Sequence, residues 1–357
     1  MRKISTPIPR LTVPDAQAYR EDMGNRNHRL ATVIGLILAC RVLWCPVHAD
    51  VYVETQKEHG WLSFSRPAHD TPGKQFDYAR KLLSNGEVRK AKRAFRNLTV
   101  TWPGSGEAPL AQYAYARILD ERGDYIEAFN AYQVLMDSFS GRFPNYDQVL
   151  QRQFDIAKWE MTRKRSRLIF GGFTAPERAI PLFESVIENA PNSPLAPESQ
   201  YLIGEAYEGT FEYHLAVVSY STTLHRYPFS PFAEKASFAR ARALNAYSEA
   251  YPNNPQAVEE AWAAVMAHIR SYPGSVTTEQ ARSVRDQLLA RRANTAYEVA
   301  VYYDTIANRP KVALESYREF VQFYPAAPQA EKAGRRIVEL VAMLDRPVNP
   351  DPETETP

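Results

Sequence analysis

The chain has 357 residues, 45% of them apolar, with 26 prolines, 15 glycines and two cysteines, which is ample for a large core. Its formal charge is +2, and beyond Cys40 the balance is 37 Lys and Arg against 38 Asp and Glu, so nucleic acid is not an expected partner. Both cysteines, Cys40 and Cys45, stand at the end of the leading apolar stretch; no disulfide or thiolate metal site can form after them, and stability has to come from packing.

Residues 1–49 read as an export leader. Arg26 and Arg29 precede an apolar run, 30–40, of signal-peptide length and too short to span a bilayer comfortably. The residues ahead of Met23 mix Pro, Asp and Glu in no signal-like order, which makes Met23 a candidate start. Two processing sites compete. Ile37-Leu38-Ala39-Cys40 resembles a lipobox, in which Cys40 would be acylated and anchor the protein, whereas Val47-His48-Ala49 fits ordinary cleavage after Ala49. Residues 50–73, mixed and aromatic with Pro67 and Pro72, read as an extended lead-in.

From there the sequence repeats. Five times an alanine is followed twelve residues later by a proline, as Ala91 and Pro103, Ala179 and Pro191, Ala216 and Pro228, Ala261 and Pro273, and Ala313 and Pro325. A sixth unit has Ala128 with Ser140 in the proline's place. Four residues after these alanines stand Phe95, Tyr132, Phe183, Tyr220, Val265 and Tyr317. The pattern predicts an all-α tetratricopeptide-repeat solenoid of about six helical hairpins and a C-terminal capping helix. Repeats one and two occupy 74–143, and repeats three to six with the cap occupy 144–344. The tail, 345–357, is Pro and Glu rich and reads as disordered. Successive alanines lie 37, 51, 37, 45 and 52 residues apart. The irregular steps locate an insertion in repeat three (162–174, TRKRSRLIFGGFT), a lengthened repeat five and a long first helix in repeat six.

Catalytic signatures are missing from this pattern. The seven histidines form no H-x-x-x-H pair, no G-x-S-x-G elbow occurs, and Gly104-Ser105-Gly106 falls in a turn between repeats. His268 reads as a satisfied interface histidine. No enzyme activity, cofactor or metal is expected.

Binding leaves more traces. In stacked hairpins the first helix of each repeat lines the concave face, and the residue after its small crossing residue points into it. Alignment by alanines and turns puts Arg80, Arg117, Lys158, Glu205, Arg242 and Tyr302 there, with Tyr113 and Tyr201 one turn earlier. Cations for a carboxylate and tyrosines for side chains suit an extended peptide; an ordinary solvated inner face is the plainer alternative. The insertion offers a second surface. Arg163, Lys164, Arg165 and Arg167, followed by Leu168, Ile169 and Phe170, could touch anionic lipid or a partner subunit, or its apolar residues could fold back on repeat three.

The leader, the repeats ending in Tyr-Pro, the segment 169–183 (IFGGFTAPERAIPLF) and the stretch 290–326, with its Tyr297–Tyr303 helix, together resemble the BamD (YfiO-type) family of outer-membrane lipoproteins. The resemblance runs over roughly 73–344. It implies a non-enzymatic scaffold on the periplasmic face of the outer membrane that helps assemble β-barrel proteins. The implied partners are unfolded outer-membrane proteins, met by repeats one and two, and a BamA-like barrel-assembly subunit, met by the last repeats. This chain has six repeats where the family has five, and its lipobox is imperfect. A periplasmic repeat adaptor for cell-wall or division machinery is the alternative, equally compatible with the leader and helices.

Overall fold

The computed structural model describes residues 66–165, 173–252 and 254–345. The leader with Cys40 and Met23, most of the lead-in, residues 166–172 with Arg167 and Phe170, and the tail from 346 lie outside the described residues.

Within these limits thirteen α-helices follow one another as six hairpins and a final helix. The hairpins are α1 (Pro72–Ser84) with α2 (Val88–Thr101), α3 (Ala108–Glu121) with α4 (Tyr125–Phe139), α5 (Tyr146–Thr162) with α6 (Ile180–Asn189), α7 (Leu195–Gly209) with α8 (Tyr213–Arg226), α9 (Pro231–Ala250) with α10 (Pro255–Ser271), and α11 (Val276–Val301) with α12 (Pro310–Phe323). Helix α13 (Ala330–Leu344) closes the stack. Prolines open α1, α9, α10 and α12 within their first turn, where the missing N–H would have had no partner anyway.

The crossing alanines do what their spacing requires. Ala91, Ala128, Ala179, Ala216, Ala261 and Ala313 are all fully buried, and the residues four further on are no more than 3% exposed. A helix pair that crosses closely has room for a methyl and no more, and the larger side chain one turn later fills the groove beside it. In repeat four even a methyl is too much on the first helix: a Cβ on Gly204 would lie 2.4 Å from Cε1 of Tyr220.

The turns share one device. Gly86, Gly123, Phe211 and Asn308 have φ of 77°, 80°, 64° and 47°, and each stands five residues before its crossing alanine. In repeats one, two and four the next N–H reaches back to the first helix, as Glu87 N to Leu82 O, Asp124 N to Leu119 O and Glu212 N to Tyr207 O, each at 2.9 to 3.0 Å. This is the left-handed C-terminal cap that glycine suits best.

The irregular steps have structural counterparts. The insertion in repeat three leaves α5 and returns to α6 as a two-residue antiparallel ladder, β1 (Lys164–Arg165) with β2 (Phe173–Thr174), Lys164 opposite Thr174. Its two limbs have to run side by side to re-enter the stack, and their backbones pair; the helical reading had no strand here. In repeat six α11 runs straight into a π turn, Tyr302–Ile306. A π turn absorbs one extra residue, and the last buried small residue of α11 is Ala300, thirteen rather than twelve before Ala313. The reading that made Tyr302 the residue after the crossing position is therefore corrected: it sits inside the π turn, exposed.

Candidate peptide groove and repeat junctions

The first helices of repeats three to six touch in turn, α5 with α7, α7 with α9 and α9 with α11, so their outer sides form one continuous face. Arg80, on α1 of the first repeat, is exposed and makes no ion pair among the described residues. Tyr113 is half-buried, its ring 5.0 Å from that of Phe143 and 6.2 Å from that of Tyr132. One turn on, Arg117 pairs with Glu121 of its own helix, and that hydrogen bond raises the Arg117 pKa. Lys158 reaches Glu198 of the next repeat at 3.1 Å and lies over the Phe154 ring. Tyr201 donates to Glu205 at 2.9 Å and packs against the rings of Tyr220 and Phe232; burial, then the neighbouring Glu205, pushes its phenol well above the ordinary range.

Arg242 is fully engaged. Its Nε and Nη2 donate to the two carboxylate oxygens of Glu208 at 2.7 and 2.9 Å, and Tyr220 donates its hydroxyl to the same carboxylate at 2.8 Å. The arrangement recurs twice. Arg152 grips Asp120 at 2.7 and 2.6 Å, with the Tyr132 hydroxyl at 3.3 Å. Arg336 grips Asp304 at 2.7 and 2.8 Å, with the Tyr317 hydroxyl at 3.3 Å. Each clasp joins an acid at the end of a first helix, the tyrosine of the same repeat's second helix, and an arginine from the next repeat or the cap. Bidentate guanidinium–carboxylate pairing is strong and geometrically exacting. Its hydrogen bond to Arg336 holds the Asp304 carboxyl below its usual value. Burial, then the Asp304 charge, lifts the Tyr317 phenol to about 12.

The groove residues thus fall into two clusters, Tyr113 with Arg117 in repeat two and Tyr201 with Arg242 in repeats four and five, with Lys158 between repeats three and four and Arg80 by itself at the first. The clasps escaped the sequence reading, although a signal was present. The aromatic after the crossing alanine is tyrosine in the clasped repeats two, four and six and phenylalanine in repeats one and three, where no hydroxyl is wanted.

Arg163, read as a contact residue of the insertion, is tied at its base. It stacks over Trp159 at 4.8 Å and lies 3.6 Å from the buried Glu160, which Arg178 also approaches at 3.2 Å. Lys164 is exposed, in the ladder beside Arg165. Among the described residues no three His, Cys, Asp or Glu side chains are grouped to hold a metal, and no helix is long and apolar enough to cross a membrane.

Comparison with known proteins gives the following. Residues 175–346 match the model of the YfiO family, described as outer membrane lipoprotein. No curated protein matches. Among solved structures, YrrB, described as a TPR protein with an unusual peptide-binding site, is 14% identical, with a TM-score of 0.30 over 58% of this chain and 90% of its own. MamA from Desulfovibrio magneticus RS-1 is 18% identical, with a TM-score of 0.26 over 57% of this chain and 97% of its own. A tetratricopeptide repeat protein from Parabacteroides merdae is 12% identical, with a TM-score of 0.26 over 76% of this chain and 98% of its own. The chain is an all-α tetratricopeptide-repeat solenoid, and its part from 175 to 346, a little under half its length, matches the YfiO model.

Proposed function

We propose that this chain is a non-enzymatic scaffold of the cell envelope, held at the periplasmic face of the outer membrane, that helps assemble β-barrel proteins through protein–protein contacts. The observation that carries the reading is the YfiO-type match, which runs from the start of the sixth helix's 3₁₀ lead-in to the end of the cap and so takes in the π-turned long helix. A barrel-forming, BamA-like subunit is the partner assigned to the last repeats, and extended segments of unfolded outer-membrane proteins to the inner face of the first ones.

Arg80 and Arg117 are the cations of that inner face with the least to lose. Arg80 has no ion partner among the described residues, and Arg117 has one on its own exposed surface. Arg242 and Lys158 hold repeats together and are poor candidates to release a carboxylate for a ligand. Reversing the charge of Arg80 and Arg117 together should weaken capture of extended C-terminal peptides while the helical content stays unchanged; equal binding by the variant would end the groove assignment. Lys164 and the insertion around it remain a proposed partner contact, to be tested by whether Lys164→Glu reduces co-purification of the partner subunit from envelopes.

The decisive experiment is purification of the tagged chain from envelopes. The barrel-assembly subunit should come with it, and its absence would defeat the proposal. Membrane fractionation of the wild type and Cys40→Ala tests the anchor separately: a lipidated Cys40 predicts loss of the membrane fraction in the variant, and a protein soluble in both forms would favour a periplasmic adaptor.

A further inference from the structure

The near-neutral total hides an asymmetry. Over α1, its turn and α2 there are eight Lys and Arg against only Asp77 and Glu87, a local charge of +6 in a chain of net +2. Helix α2 buries Ala91, Ala94, Phe95 and Leu98. At about 3.6 residues per turn, Arg89, Arg93, Arg96 and Val100 fall on its opposite side, with Lys90 and Lys92 flanking them. Arg89, Lys90 and Arg93 are exposed, as are Lys74, Arg80 and Lys81 of α1. Among the described residues Arg89 and Arg93 make no ion pair, and Glu87 is taken up by Lys90 at 2.5 Å.

We propose that the outward face of α2 is a docking surface for anionic phospholipid headgroups. Three observations favour a membrane over a peptide. The stripe lies on a second helix, away from the inner face that the first helices form. Its cations, Arg89 to Arg96, are strung along about 10 Å of helix at about 1.5 Å per residue, which suits several headgroups on a plane better than one anion in a pocket. At its far end Val100 is 72% exposed, with Trp102 half-buried beside it, and an apolar residue beside cations is how a surface helix enters the headgroup boundary. Each Lys or Arg near an anionic surface adds a similar increment. The proposal rests on the envelope reading for its setting, though its chemistry can be measured without it.

The test uses the full-length chain, so that the leader contributes equally to every sample, and vesicles of phosphatidylcholine with or without phosphatidylglycerol. Wild type should bind the anionic vesicles more tightly, and added salt should remove the difference. The triple variant Arg89→Gln, Lys92→Gln, Arg93→Gln should lose about a hundredfold in partitioning to anionic vesicles, from three increments of about fivefold each. A control triple on exposed cations of the last repeat and cap, Lys311→Gln, Arg318→Gln, Arg335→Gln, should lose less than about threefold, because those charges lie far from the surface in contact. Unaltered melting confirms that both variants fold. Equal losses in the two triples would overturn the proposal, as would indifference of wild type to phosphatidylglycerol. So would a patch variant that keeps vesicle binding and loses binding to an acidic peptide. Fractionation of cells reports on the envelope reading alone, so either idea can fail without the other.

Discussion

The junctions of this stack come in two kinds that alternate. Those between repeats two and three, four and five, and six and the cap are clasped by an acid, a tyrosine and an arginine. Among the described residues the other junctions lack that triad: repeats three and four are bridged by Lys158 and Glu198, and five and six meet around His268, fully buried between Ser237 and Thr277, each 3.1 Å away. Yet the crossing alanines are fully buried in every repeat. Close packing, common to both kinds, therefore makes the fold, and the clasp adds a nearest-neighbour term that fixes how one repeat meets the next.

The largest expected effect tests the packing beneath a clasp. Gly204→Ala would push a methyl into the Tyr220 ring at 2.4 Å, displacing the aromatic that donates to Glu208; a loss of about 3 kcal/mol is expected, the upper end for overpacking a tight core. Urea unfolding measures it. Ala241→Gly, the same position in repeat five, where Val265 stands in the tyrosine's place, removes a methyl and should cost about 1 kcal/mol, chiefly in helix propensity. If the two cost the same, the contrast between repeats four and five is false.

Next comes the clasp itself. Arg242→Met leaves Glu208 with Tyr220 as its remaining partner, and since the arginine is 47% exposed the loss should be about 1 kcal/mol rather than that of a dry pair. A double-mutant cycle with Glu208→Gln isolates the pair. A coupling of zero would make the clasp ornamental.

A smaller effect of opposite sign is expected at a turn. Phe211 occupies the left-handed position that Gly86 and Gly123 hold elsewhere, is 76% exposed, and meets Tyr213 edge-on at 6.2 Å. Phe211→Gly should stabilise by about 1 kcal/mol, the strain a side chain suffers there. Thermal melting that falls instead would mean the ring contact outweighs the strain.

Much of this was legible in the residues. Six hairpins and a cap follow from the alanines, because a crossing that excludes anything larger than a methyl leaves a mark at a fixed spacing. The long helix of repeat six was legible too, but its π turn was not: one extra residue between Ala300 and Ala313 shifts a helical register without changing composition. The inner-face residues were placed by analogy between repeats, and analogy cannot say that Arg242 is held by Glu208, 34 positions earlier, while Arg80 makes no ion pair among the described residues. Ion partners are decided by side-chain reach across a junction. That Gln75 and Gln112 are buried, each donating to an alanine carbonyl nineteen residues on, Ala94 at 3.1 Å and Ala131 at 2.8 Å, was likewise hidden, since a glutamine inside an apolar stripe reads as an interruption until its acceptor is known.

The finest distinction between the two kinds of junction is their response to acid. Burial lowers the pKa of His268 from its ordinary 6.5, with Phe238 and Tyr272 stacked near its ring and Glu234 as the charged group facing it. The folded protein therefore holds His268 neutral where the unfolded chain would take a proton, and as pH falls below about 6.5 the unfolded state gains more than the folded one. Asp304 works in the opposite sense. Its carboxyl is depressed below 3.8 by Arg336, so the stability it contributes is complete above that value and disappears as pH falls through the lower, folded one. Acidification should accordingly loosen the junction of repeats five and six first and leave the clasp between repeat six and the cap intact until far lower pH. Amide exchange followed by peptide, corrected for the intrinsic pH dependence of exchange, separates the two: protection in α10 and the start of α11 should decline between pH 7 and pH 5, roughly the interval over which a histidine titrates, while that in α13 holds. His268→Gln should flatten the first decline and leave α13 unaffected. Simultaneous loss in both places would show that the stack opens as one cooperative unit and that the junctions do not act separately.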